Sequence, residues 1–127
     1  LGTSFSYERY SSGNGPSSII VGSFFGGLKL NRFRIGGEFE RKKNIQTEQI
    51  IAFYSSYKII DNLEGLVYLD MYDPDTDSGG NFETYTILGF NYYPTKGLII
   101  SPNFRLTSFE SESESKTLFK VNFQFKF

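Results

Sequence analysis

Lys116-Thr117-Leu118-Phe119-Lys120-Val121-Asn122-Phe123-Gln124-Phe125-Lys126-Phe127 divides its side chains between two faces almost completely. Thr117, Phe119, Val121, Phe123, Phe125 and Phe127 share one phase, and Lys116, Leu118, Lys120, Asn122, Gln124 and Lys126 share the other. Successive side chains of a strand point to opposite faces, so the segment predicts a strand with one aromatic face and one wet, cationic face. A sheet buried in a water-soluble protein mixes more aliphatic residues into its inner face and seldom stops on its last aromatic.

The same two-residue period recurs through the chain, and no stretch keeps a helical period. It predicts strands at 3–10, 18–30, 33–43, 47–59, 63–72, 82–93, 98–109 and 116–127. Each is near the ~9–11 residues that a tilted strand needs to cross a bilayer. The connections fall into two kinds. Asn31-Arg32, Ile60-Asp61-Asn62 and Pro94-Thr95-Lys96-Gly97 are tight. Ser11–Ser17, Asn44–Gln46, Asp73–Asn81 and Glu110–Ser115 are longer and polar. Long connections thus follow strands one, three, five and seven, as they do in membrane barrels with brief turns on one side and long loops on the other.

Several strands assign their faces clearly. Strand seven sets Leu98, Ile100, Pro102, Phe104 and Leu106 against Ile99, Ser101, Asn103, Arg105 and Thr107. Strand five sets Val67, Leu69 and Met71 against Glu64, Tyr68, Asp70 and Tyr72, and strand three sets Phe33, Ile35 and Phe39 against Arg34, Glu38 and Glu40. Strand two is apolar in both phases and takes no orientation from its sequence. Pro102 lacks a ladder donor, which predicts a bulge beside it or a displaced strand boundary. With the polar phase turned inward, Arg34, Glu38, Glu40, Lys58, Glu64, Asp70, Arg105, Lys120 and Lys126 would line a lumen. Ionisable groups at membrane depth are tolerated when paired or wet, which a barrel interior supplies and a lipid face does not.

At 127 residues the chain has room for one compact domain, 1–127. It holds 14 Phe and 9 Tyr but no Trp, His or Cys. That excludes Ser–His and Cys–His nucleophile pairs, histidine or thiolate metal sites and disulfide frameworks, so no enzyme activity and no cofactor is expected. The formal net charge of −1 gives no reason to expect a nucleic-acid partner. No apolar run approaches the roughly 18 residues of a transmembrane helix, a test that does not bear on membrane strands. The sequence opens on Leu1 without a basic, then apolar, leader, which suggests a mature product or a fragment.

The closing alternation that ends on Phe127 resembles the last strand of bacterial outer-membrane β-barrels. Ser55-Ser56-Tyr57-Lys58-Ile59-Ile60-Asp61-Asn62-Leu63-Glu64 is similar to a strand, turn and returning strand of porin-like members. Tyr68-Leu69-Asp70-Met71-Tyr72-Asp73-Pro74-Asp75 resembles an outgoing strand entering an acidic external loop, and Gly89–Asn103 resembles their penultimate hairpin. The resemblance covers about the last 70 residues. It implies an all-β, antiparallel transmembrane β-barrel in a Gram-negative outer membrane. The eight strands are then either a complete small barrel or the closing part of a larger porin-like one. It further implies that Phe119, Val121, Phe123, Phe125 and Phe127 form an assembly signal for the barrel-insertion machinery. Outer-membrane lipid and lipopolysaccharide would surround the protein, with a homo-oligomer or additional barrel strands as further partners.

Two candidate sites carry little chemistry. Asp73, Asp75 and Asp77 are spaced like the start of a calcium loop, but Ser78 stands where glycine is needed and Thr84 where glutamate is needed. Glu38 and Glu40 share a phase with Arg34 and Lys42, which predicts ion pairing rather than acid/base work. The expected function is passive diffusion of small hydrophilic solutes through a porin-like channel. The alternative is a plugged eight-stranded barrel with a structural, adhesive or surface-binding role.

Overall fold

The computed structural model of the chain describes residues 1–12, 15–112 and 114–126, with the side chains of 10–17 outside that description. Its strands are β1 (Gly2–Ser12), β2 (Gly15–Leu30), β3 (Phe33–Lys43), β4 (Thr47–Ile60), β5 (Leu63–Asp73), β6 (Glu83–Thr95), β7 (Leu98–Phe109) and β8 (Lys116–Phe125). They form one sheet in chain order, every neighbouring pair antiparallel. Among the described residues there is no helix.

The sheet does not close. Each strand touches only its neighbours in sequence, and β8 makes no contact with β1. A finished eight-stranded barrel is therefore not the arrangement observed. Both outer strands leave a row of backbone groups unpaired, a state that proteins seldom leave exposed.

Local chemistry explains the turns. Asn31 adopts φ 42° in the tight β2–β3 turn and Gly97 φ 89° in the β6–β7 turn, the left-handed region that these residue types tolerate. At Gly97 a side chain would also press on the backbone, because a Cβ there would stand 2.7 Å from the Lys126 carbonyl oxygen. That approach is fixed by the Lys126 amide donating to the Gly97 carbonyl at 2.8 Å.

Two local expectations need correction. Ser11, Ser12, Gly15, Pro16 and Ser17 join the β1–β2 ladder, so this connection is not a long loop. Only positions 13 and 14 separate the strands, and these lie outside the described residues. Pro102 stays inside β7, opposite Val121 on β8. Towards β6 the ladder registers at Gly89–Asn103 and again at Tyr92–Ile100, and slips only between Tyr92 and Thr95, the stretch that contains Pro94. The Ser101 hydroxyl donates to Asn91 Oδ1 at 2.7 Å, joining the two strands by side chains beside the proline.

The sheet has no hydrophobic core in the ordinary sense. Ala52 is the one buried apolar residue among those described, and no large side chain is fully buried. The accessible surface is 9118 Å², against about 6,900 Å² for a folded soluble monomer of this mass. A single layer with two open faces accounts for the excess.

Candidate functional site

Register joins the clear strands to the ambiguous ones and defines both faces. Phe5, Phe24, Phe39, Phe53, Val67, Phe90, Phe104 and Phe119, one from each strand, lie on one face and are all exposed. Phe104 and Phe119 stack as tilted rings with centroids 6.2 Å apart. Val121, Phe123 and Phe125 continue this face along β8, opposite Pro102, Ile100 and Leu98. Phe127, the last residue of the expected assembly signal, lies outside the described residues. β2 is oriented by its partners: Ser23 pairs with Ser4 and Glu40, which puts Val21, Ser23 and Phe25 on the polar face.

That polar face is the candidate site. Register places Arg34, Glu38, Glu40, Lys58, Glu64, Asp70, Arg105 and Lys120 on it, and Lys126 continues the phase just past β8. Acids concentrate on β3 to β6, whereas the ionisable residues of this face on β7 and β8 are all bases: Arg105, Lys116 and Lys120.

Near the short turns the centre is Glu64, which is 8% exposed. Its carboxylate accepts the Ser56 hydroxyl at 2.6 Å on one oxygen and the Tyr93 hydroxyl at 2.9 Å on the other. Arg34, Lys58 and Asp61 line the adjoining cavity of about 270 Å³. Lys58 bonds Asp61 at 2.9 Å across the turn. That hydrogen bond and the opposite charge hold the exposed Asp61 carboxyl below its usual range.

At the opposite end Lys42 bonds Glu48 at 3.1 Å, and the Tyr72 hydroxyl donates to the other Glu48 oxygen at 3.3 Å. Asp70, Tyr72, Glu83 and Tyr85 surround the space beside them. Asp70 accepts from Tyr68 at 3.4 Å through Oδ2. Between these ends Tyr54 lies over Gly36 and Gly27, filling the room that their missing side chains leave.

The expected pairing of Glu38 and Glu40 with Arg34 and Lys42 is not formed; Lys42 takes Glu48 instead. Arg105 meets no acid among the described residues. Its Nε donates to Asn103 Oδ1 at 2.8 Å, and the Asn103 amide donates to the Ser101 carbonyl at 2.9 Å. Asn103 is 5% exposed, so Arg105 stands on a fixed support with its charge uncompensated. The Asp73 loop turns its carboxylates to its own backbone: Asp73 accepts the Asp75 amide and Asp75 the Asp77 amide. Among the described residues no three His, Cys, Asp or Glu side chains are arranged to hold a metal ion.

The alternation put Tyr68 and Tyr72 in the polar phase of strand five but did not single out Tyr54, Tyr85 or Tyr93. Tyr54, Tyr68, Tyr72, Tyr85 and Tyr93 add a belt of hydroxyls among the carboxylates. The Tyr72 and Tyr93 hydroxyls both serve the polar face. Their phase with Asp70 and Asn91 was the available signal. No protein-family model, curated protein or solved structure matches the chain.

Proposed function

We propose that the chain supplies eight strands to the wall of a porin-like outer-membrane β-barrel, through which small hydrophilic solutes diffuse passively. The observation that carries this reading is the pairing of an exposed apolar face on every strand with a polar, charged face behind it, and no core between. In water such an apolar surface is unfavourable at roughly 25 cal/mol per Å², whereas in lipid it is at home. Strand lengths from 10 to 16 residues suffice to cross a bilayer with tilt. The turns at 31–32, 61–62 and 96–97 would face the periplasm, and the β5–β6 and β7–β8 connections, the two longest, the outside.

The open edges of β1 and β8 favour a barrel of more than eight strands over a plugged small one. Further strands, from additional chain or another copy, would pair with both edges. In such a barrel acids on β3 to β6 and bases on β7 and β8 would face the water and bias which ions pass. Insertion would depend on the machinery that reads the closing strand.

The test is conductance in planar bilayers after refolding in detergent. Steps that reverse sign of selectivity or shift it when Arg105 is replaced support the channel. A folded, inserted protein without conductance would overturn it.

A further inference from the structure

Two aromatic rings lie down on the polar face. Phe25 on β2 sits opposite Gly2 on β1, and Tyr54 on β4 sits opposite Gly36 on β3. A Cβ on Gly2 would meet Cζ and both Cε atoms of Phe25, and one on Gly36 would meet Cζ, Cε1 and the hydroxyl oxygen of Tyr54. Each glycine therefore lies beneath a ring, and each ring is laid along the sheet over its neighbouring strand. Their upper sides stay open: Phe25 is 50% exposed and Tyr54 47%. Covering bare glycine backbone is a structural service that aromatic rings perform in sheets. It gives no reason for the charges beside them.

A cavity of about 460 Å³ adjoins both rings, with Lys29, Arg34 and Glu38 around it and the buried Ala52 in its floor. Glu38 stands between Phe25 and Ala52 in the register, and Arg34 stands opposite Lys29. None of the ion pairs among the described residues takes up these three charges. The volume falls within the ~300–1,000 Å³ of small-molecule sites. Gly2 and Gly36 lie two strands apart, about 10 Å at the usual strand spacing. One small ring cannot cover both platforms.

We propose that Phe25 and Tyr54, with Glu38, Arg34 and Lys29 beside them, form a subsite for a neutral oligosaccharide on the inner wall of the channel. A sugar ring offers C–H groups on its flat sides and hydroxyls around its rim. The faces of aromatic rings carry partial negative charge and attract the C–H groups. The Glu38 carboxylate only accepts hydrogen bonds, and Arg34 and Lys29 only donate them, whereas each sugar hydroxyl does both. A cation would be drawn to the ring faces and Glu38 but repelled by two bases; an anion would meet Glu38. A neutral, polyhydroxylated chain longer than one ring suits all five side chains. The proposal rests on the reading above of the polar face as a water-filled lumen.

The test is calorimetric titration of the full chain, refolded in detergent, with maltotriose, and with spermidine and citrate as charged probes. Maltotriose should bind saturably and more tightly than either charged probe. Phe25→Leu should weaken it at least about threefold, since a ring face is lost. Glu38→Gln should weaken it about tenfold, since a charged acceptor is lost. That change is nearly isosteric, so it decides the matter even if Phe25→Leu does not fold, as read by far-UV circular dichroism. Phe90→Leu, on the apolar face, should bind as the wild type does. No saturable maltotriose binding, tighter binding of spermidine or citrate, or wild-type affinity in Glu38→Gln would overturn the subsite. So would a loss in Phe90→Leu equal to that in Phe25→Leu. Planar-bilayer conductance of the same preparation keeps the two readings apart. A conducting protein that fails to bind maltotriose loses the subsite alone, and one that binds it without conducting loses the channel alone.

Discussion

Gly89 on β6 lies so close to Pro102 on β7 that a Cβ on the glycine would stand 2.7 Å from the proline's carbonyl oxygen. The same Cβ would be 2.8 Å from Asn103 Cβ and 3.1 Å from Asn103 Cα. The strands approach here beside the residue that supplies no amide, and backbone atoms cannot step aside as a side-chain tip can.

Gly89→Ala should therefore destabilise the folded protein by about 1–3 kcal/mol, the usual cost of overpacking. Gly22→Ala should stay within ~0.5 kcal/mol, since its Cβ enters open space. Urea unfolding in detergent would compare them. Equal effects would mean that the close approach at Gly89 is not a constraint.

Glu64 and Arg105 should part company under mutation. Glu64→Ala leaves the Ser56 and Tyr93 hydroxyls without their acceptor on a nearly buried site, a loss of ~1–3 kcal/mol. Arg105→Ala breaks only its bond to Asn103 and should cost at most about 1 kcal/mol. Its effect should appear in the cation/anion permeability ratio, read from reversal potentials in a salt gradient. A strongly destabilised Arg105→Ala variant with unchanged selectivity would contradict the uncompensated charge.

Alternation made the strands legible because a strand with one lipid-like and one wet face has a strict period of two. Hence β3, β5, β7 and β8 were assigned from their residues with nearly the observed ends. β2 was not, since Ile19, Ile20, Val21, Phe24 and Phe25 are apolar in both phases, and only pairing with Ser4 and Glu40 fixes it. Closure is likewise a property of the two edges and not of any segment, so the open sheet could not be read from periods. Nor could the ion pairs. Which acid Lys42 meets depends on cross-strand register: it sits opposite Glu48, whereas Glu40 is its neighbour along the strand.

Edge closure can be tested with introduced cysteines, because the chain has none of its own. Ser4→Cys on β1 and Asn122→Cys on β8 lie at opposite margins of the sheet. Oxidation should give no bond within one chain, since disulfide geometry allows Cα atoms no more than about 7 Å apart. A bond between two chains would identify a second copy as the strand partner. Complete intrachain cross-linking, seen as a reducible mobility shift of the monomer, would restore the closed eight-stranded barrel.

The last residue should matter more to assembly than to the assembled protein. β8 is exposed along both faces, Phe119 and Phe123 each to 60%, and its packing within the sheet comes from β7 alone. The described part of β8 thus packs against one neighbouring strand only. If the alternating aromatic face of β8 is also an address, Phe127→Ser should lower the amount of protein reaching the outer membrane several-fold. The same variant should refold in detergent with an unfolding midpoint close to that of the wild type. Phe123→Ser, in mid-strand, should weaken both, because it also loses its contacts opposite Ile100. Membrane fractionation beside unfolding in detergent separates the two roles. A Phe127→Ser variant that loses refolding and membrane delivery in equal measure would show that the residue acts through stability and carries no signal.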